Sequence, residues 1–247
     1  MKITDVVYML EIPAKSLMTN MNTTIYPTLI LAGDARVLVD TGFPGLLDEV
    51  RHEMAQCACT PEELTHILLT HQDIDHLGNA AAIRKSNPAV QIWAHTLDAP
   101  YIQGDQTPLK LAQFEENLFE QPQEVQAIFQ SMKRGFENSY SHVDRTLADG
   151  EILPFAGGMR VIHTPGHTPG HIALYLQQSR ILIAGDTLRV REGALAPGQP
   201  EMNFDQVLSR QSLKKFLPLE IEQVVCYHGG LYRGPVHQAL EEILAKP

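Results

Sequence analysis

Four times along this chain a short apolar or β-branched run stops at a turn that carries histidine or aspartate. His66-Ile67-Leu68-Leu69 leads into Thr70-His71-Gln72-Asp73-Ile74-Asp75-His76. The run Met159 to Ile162 leads into His163-Thr164-Pro165-Gly166-His167-Thr168-Pro169-Gly170-His171. Ile181-Leu182-Ile183 closes on Ala184-Gly185-Asp186-Thr187, and Val224-Val225 closes on Cys226-Tyr227-His228-Gly229-Gly230. A strand sends successive side chains to opposite faces, and the loop leaving its end can turn several of them to one point. Sites are commonly built on such loops. A fold made from this chain is therefore sheet-based, with several strand ends meeting at one edge.

His71, Asp73, Asp75 and His76 place four metal-competent side chains within six residues, a density that folding alone explains poorly. Imidazole nitrogens and carboxylate oxygens are the ligands that a borderline divalent cation accepts. Two of each are too many for one closed site once His167, Asp186 and His228 arrive from the later segments. Single histidines beside strands are ordinarily hydrogen-bonded surface or core residues, and His52, His66, His95, His142 and His237 are read that way. His163 and His171 are read either as support for the ligands or as plain turn structure.

With these segments in view, and with Val39-Asp40-Thr41-Gly42 upstream, the chain resembles the metallo-β-lactamase-fold superfamily. The family pattern is His-x-His-x-Asp-His, then a T-P-G-H-T segment, a G-D-T and a C-terminal H-G. The resemblance runs from about Ile30 to Gly230 in the family's order. It implies an αββα sandwich, two sheets face to face with helices outside, and a pair of divalent metal ions. Carried over, His71, position 73 and His167 would hold one metal, Asp75, His76 and His228 a second, and Asp186 would bridge them. Asp40 is a polar group that can orient a ligating imidazole from its other nitrogen.

The chain departs from that pattern at position 73, which is Asp where most of the family has His. Asp73, Asp75, Asp186 and a bridging hydroxide would then balance the charge of two divalent ions. Such a centre is expected to be a weaker Lewis acid, with Zn as its metal and Mn or Fe tolerated. The implied chemistry is hydrolysis: a hydroxide held between the metals attacks a small-molecule ester, lactone or thioester, and Asp75 also relays a proton to the leaving group. Two alternatives stay open. One is an iron-dependent oxidoreductase, diiron or mononuclear, on the same fold; the other is a phosphodiesterase.

The 247 residues suit one domain spanning 1–247, with 44% apolar and 19% charged residues as in ordinary globular proteins. A net charge of −10 argues against a phosphate-tracking nucleic-acid surface. No apolar stretch approaches membrane-spanning length. Cys57, Cys59 and Cys226 are read as free thiols. Met1 to Asp5 lacks the pattern of a secretion signal, so the cytoplasm is the expected compartment. Oligomeric state is not legible.

Further strands are expected at Val6 to Glu11, Thr28 to Leu31, Arg36 to Asp40 and Gln91 to Ala94. Helices are expected over Gly45 to Gln56, from His76 to about Lys85, after Asn203 to about Phe216, and from Pro235 to Leu244. Thr60-Pro61-Glu62-Glu63 has capping-box spacing. The stretch from Pro100 to about Tyr140 interrupts the alternation. Val125, Ile128, Phe129, Met132 and Phe136 form a helical apolar stripe there, with Leu111, Phe114 and Leu118 a shorter one. This helical insert is read as a lid over the metal edge or as a hairpin packed on the sandwich. Arg189 and Arg191 can meet an anionic substrate group, and Tyr232 a carbonyl oxygen.

Overall fold

Successive side chains of the central strands are buried in different cores. Leu68 faces one way and Ile67 and Leu69 the other; Leu174 faces one way and Ala173 and Tyr175 the other. Strands apolar on both faces must be covered on both, which is what the computed structural model shows for the described residues, 1–16, 21–116 and 118–246. Residues 17–20, 117 and 247, which the single-domain and insert ranges include, lie outside them.

One six-stranded sheet runs in the order Val7–Met9, Thr28–Ala32, Ala35–Val39, His66–Leu69, Gln91–His95, Arg145–Leu147. The other runs Gly230–Tyr232, Gln223–Cys226, Ile181–Ile183, Ile172–Leu176, Met159–His163, Ile152–Leu153. Between the sheets Val37, Val39, Leu68 and Trp93 meet Val161, Leu174, Ile183 and Val225. The outer face of the first sheet is covered by helices contributing Val50, Met54, Ile83, Phe129 and Phe136. The outer face of the second is covered by Leu213, Phe216, Leu240 and Ile243. These are the four layers of an αββα sandwich, as expected.

The expected strands form within a residue or two of their anticipated ends, the ordinary uncertainty of element boundaries. The expected helices appear as Leu47–Ala55, Ile74–Leu77 with Ala80–Ser86, Gln206–Leu213 followed by a 3₁₀ turn, and Val236–Ala245. Thr60 does head a reciprocal capping box, on the 3₁₀ turn Pro61–Glu63. Two hairpins were not anticipated: Ile12–Lys15 with Asn22–Ile25, and Leu188–Arg191 with Ala194–Pro197. Both lie at the edge where the histidine turns emerge. Their residues are half exposed, so neither carries a clear apolar alternation.

The 100–140 insert folds as Ala99–Ile102, Leu109–Glu115, the 3₁₀ turn Leu118–Glu120 and the long helix Gln123–Ser139. Phe129, Met132 and Phe136 of the expected stripe are buried in the outer core of the first sheet, and Val125 and Ile128 are half-buried. The long helix also packs against the helix that carries Asp75 and His76. The insert is thus a packed layer of the sandwich whose inner edge reaches the histidine turns.

Candidate metal centre

The seven side chains singled out in the sequence meet at one place. His71, Asp73, His167 and Asp186 form one group, and Asp75, His76 and His228 a second; within each group the facing atoms lie within 4.8 Å of one another. The parallel pairing of Val39 with Leu68, and of Ile183 with Val225, puts the ends of those strands level. Their following turns therefore open on the same edge.

Asp40 leaves its strand with φ +62°, a left-handed conformation that Asp tolerates better than most residues. That turn aims its carboxylate at the first histidine loop. Oδ1 accepts from the Thr70 N–H at 2.8 Å, and Oδ2 accepts from the Thr70 hydroxyl and from His76 Nδ1, each at 2.8 Å. His76 Nδ1 is thereby spent on Asp40, and Nε2 is left facing the other groups. Tyr227 lies over the same imidazole with ring centres 3.8 Å apart, and its hydroxyl donates to the Asp75 carbonyl.

The second histidine turn is held similarly. His167 Nδ1 bonds Asn203 Oδ1 at 3.0 Å. His171 is fully buried behind the ligands: its Nδ1 meets the Thr164 hydroxyl at 2.8 Å, and its Nε2 accepts the Asp186 N–H at 3.0 Å. His171 therefore supports the Asp186 turn. Gly185 allows this contact, because a Cβ there would lie 2.6 Å from His171 Nε2. His163 stacks on His95 at 4.1 Å, away from the seven. Asp98, fully buried, joins the two turns by accepting from Gln72 N–H (3.0 Å), the Thr168 hydroxyl (2.7 Å) and Gly170 N–H (2.8 Å).

The donor set fits a pair of divalent cations. Among the described residues, buried His71 Nε2, His76 Nε2 and Asp186 Oδ1 face other ligand-type atoms but make no properly aligned hydrogen bond, an unfavourable state for polar atoms unless something else binds them. Ligands about 2.0–2.1 Å from a tetrahedral ion stand roughly 3.3 Å apart. Here His71 Nε2 to Asp73 Oδ2 is 3.2 Å, His76 Nε2 to Asp186 Oδ1 3.2 Å, and His228 Nε2 to Asp75 Oδ2 3.4 Å. Asp186 stands between the groups, with Oδ1 near His76 and Oδ2 3.4 Å from His167.

The electrostatics agree. Burial works against charge on Asp186, but the imidazoles of His228 and His76 outweigh it and hold the carboxyl well below its usual range. Burial also opposes charge on His228, yet Asp186 and Asp75 raise it to about 9. His71, desolvated and crowded by His76, is pushed down.

One further side chain enters the cluster, and the sequence reading missed it. Lys110, from the helix Leu109–Glu115 of the insert, donates to Asp73 Oδ2 and, at 3.1 Å, to His167 Nε2. Burial disfavours its charge, but Asp73 and Asp186 more than compensate and raise its pKa. A lysine on an amphipathic helix carries no signal of this in the sequence. Asp98, Asn203 and Tyr227 were missed for the same reason: each acts across a long sequence separation.

Above the seven lies a cleft of about 440 Å³. Phe43, Ile74, Met132, Phe136, Leu188 and Met202 form apolar parts of its wall, and Lys110 and Arg189 are polar ones. Arg191 instead extends beside Glu192 on the surface, and Tyr232 packs on the outer helices of the second sheet. Neither lines the cleft, in keeping with a surface role for Arg191 and a packing role for Tyr232. Cys57, Cys59 and Cys226 are free, as read. Among the described residues no helix is long and apolar enough to cross a membrane.

Comparison with known proteins agrees with this architecture. The chain is 29% identical over 205 residues to the probable metallo-hydrolase YflN of Bacillus subtilis, covering 78% of this chain and 75% of that protein. It is 27% identical over 187 residues to a hydroxyacylglutathione hydrolase of Synechococcus sp., covering 75% of this chain but 56% of the relative's length. The crystal structure of the metallo-beta-lactamase family protein TTHA1429 from Thermus thermophilus superposes with a TM-score of 0.75 at 23% identity, over 99% of this chain and 80% of that one. The profile of the metallo-beta-lactamase superfamily matches residues 23–228. That span contains both sheets' central strands and all seven clustered side chains, and the chain belongs to the metallo-β-lactamase superfamily of metal-dependent hydrolases.

Proposed function

We propose that this protein, taken as one domain over 1–247, is a binuclear metallohydrolase acting on a small ester, lactone or thioester, with zinc as its metal. The observation that carries the reading is the convergence of seven ligand-type side chains, three of their polar atoms without an aligned hydrogen bond among the described residues, on the floor of a largely apolar cleft. His71, Asp73 and His167 would hold one cation, Asp75, His76 and His228 the other, and Asp186 both. Bound there, the cations supply a water ionised near neutral pH and a polarised substrate oxygen.

The protein's own groups do the rest. Asp40, Asn203 and Thr70 fix the imidazoles so that their free nitrogens converge, which lowers the reorganisation needed on binding. Phe43, Ile74, Met132 and Phe136 give an acyl chain or ring an apolar place and keep bulk water off the reacting carbonyl. Arg189, which lines the cleft, can meet an anionic end of the substrate. Asp75 is partly exposed to the cleft; its carboxylate oxygen not engaged with a cation can accept the proton given up by the attacking water and return it to the leaving alkoxide or thiolate.

The acyl preference draws on the similarity to the hydroxyacylglutathione hydrolase of Synechococcus, since an acyl-glutathione is a thioester, and on the apolar walls of the cleft. A panel of lactones, aryl esters, thioesters, phosphodiesters and β-lactams, run with protein reconstituted in single metals, tests it. Turnover confined to phosphodiesters, or oxygen uptake by the iron-loaded protein with no hydrolysis, would overturn the reading.

A further inference from the structure

Lys110 reaches the first of the two groups of ligand-type side chains. The start of its helix is tied to the ligand turn, because the Leu109 N–H donates to Gln72 Oε1 at 2.9 Å. That bond sets the Lys110 backbone next to the Asp73 turn. The ammonium then lies against Asp73 Oδ2 and His167 Nε2, two atoms themselves 2.9 Å apart. Both atoms belong to the first half of the centre; among the described residues Lys110 makes no hydrogen bond or ion pair with His76 or His228 of the second.

The two uses of these atoms exclude each other. An imidazole nitrogen has one in-plane lone pair, and a nitrogen that accepts from an ammonium cannot ligate a metal at the same time. With Nδ1 engaged by Asn203, Nε2 is the only nitrogen His167 can offer. The same Asp73 oxygen that accepts from Lys110 is the one nearest His71 and His167. A divalent ion placed among them beside a retained ammonium would also put like charges in contact inside a buried site. The chain departs from the family pattern at this residue, Asp73, and the lysine's partner is that carboxylate.

We propose that Lys110 is a tethered cation occupying the first half of the centre, so that the second half loads metal tightly and the first loads only by expelling the ammonium. This rests on the binuclear reading and adds to it an order of loading. An exit is present. Lys110 borders both the main cleft and an adjoining cavity of about 280 Å³ whose wall includes Gln113 and Glu201. The displaced ammonium can move there towards a carboxylate. At limiting metal the protein then holds one ion and keeps Lys110 where the other would be.

Calorimetric titration of metal-free protein with Zn²⁺ alone, with bound metal counted by elemental analysis, tests this. The wild type should take one ion tightly and a second roughly 10- to 100-fold more weakly, the cost of giving up a charge-assisted hydrogen bond. Lys110→Met and Lys110→Gln should bring the second affinity to within about threefold of the first, while Lys110→Arg should keep it weak. Lysine acetylation read by mass spectrometry gives an answer without a variant: Lys110 should be protected with one equivalent of Zn²⁺ and labelled with excess. Two equally tight ions in the wild type, or unchanged labelling on filling the second site, would overturn the lysine proposal and leave the binuclear centre standing. Failure of every protein, the neutral Lys110 variants included, to take a second ion would overturn the binuclear reading itself.

Discussion

Asp98 offers the sharpest check on how the centre is held together. It binds no expected metal position, yet it ties the turn 71–76 to the turn 167–171 from a third element. Its carboxylate accepts from Gln72 N–H, Gln72 Nε2, the Thr168 hydroxyl and Gly170 N–H, and the residue is fully buried. Asp98→Ala strands two backbone N–H groups, the buried Gln72 side-chain amide and the Thr168 hydroxyl. At about 1–3 kcal/mol for each buried donor left unmade, less what is regained by no longer burying a carboxylate, the expected loss is roughly 2–4 kcal/mol. That is a large part of the ~5–15 kcal/mol that holds a typical domain. Asp98→Asn should cost about half as much, because its amide oxygen can serve one side and Thr168 can turn its hydroxyl to accept, leaving one N–H unpaired. Urea unfolding of the metal-free proteins measures both, with unchanged m-values showing that the same structure is lost. The zinc-loaded proteins should show a larger gap than the metal-free ones, because loosened turns bind metal less well. A loss below about 0.5 kcal/mol for Asp98→Ala, or an equal loss with and without zinc, would refute the view that Asp98 couples the two histidine turns.

Other consequences can be checked as directly. Asp40→Ala frees His76 Nδ1 and the Thr70 donors; zinc affinity measured against a competing chelator should fall about 10- to 100-fold, the usual cost of removing a ligand's outer partner. Gly185→Ala drives a methyl group to 2.6 Å from His171 Nε2 at φ +53°; elemental analysis should find less than the full metal complement even if the variant stays folded. Phe136→Ala should cost about 3–5 kcal/mol in denaturant unfolding and, since Phe136 lines the cleft, raise KM for acyl substrates more than it lowers kcat. Asp144 supplies a pH signature remote from the metals. Burial works to raise its carboxyl, but Arg84 and the Ile92 N–H outweigh this and depress it below 3.8. A depressed acid contributes stability above its unfolded pKa and loses it as pH falls through the folded one. The unfolding free-energy gap between wild type and Asp144→Asn should therefore be full at neutral pH and close below about pH 3.8.

Much of the fold was legible because its central strands are covered on both faces. A run such as Ile172–Leu176, all apolar and bounded by turn residues, reads as a buried strand without any partner in view. The helical stripe Phe129, Met132, Phe136 was equally clear, since its burial repeats at helical spacing. The two edge hairpins were not legible. Pro13 and Pro197 lie within them and most of their residues are exposed or half-buried, so pattern alone demotes them to loop. Yet it is at this edge that Ile25 pairs with His228 and Leu188 enters the cleft wall.

The candidate site divides along a similar line. Its ligand-type residues lie in four short segments, each anchored by the strand before it, so local spacing carries them. The groups that set their charge and orientation act across the fold: Asp40 on His76, Asn203 on His167, Asp98 on Gln72 and Gly170, Lys110 on Asp73. Only Asp40 was anticipated, because it belongs to the Val39-Asp40-Thr41-Gly42 segment that the family resemblance picks out. Lys110 shows the limit most plainly. Asp at position 73 reads in isolation as an anionic ligand that weakens the Lewis acidity of a metal pair. Beside Lys110 it is also half of a buried ion pair, and an ion pair inside a metal site is a competitor for that metal. The same carboxylate can thus lower the occupancy of one half of the centre and the charge of the whole. Which effect dominates is decided by a residue 37 positions away, on a helix whose own pattern speaks only of packing.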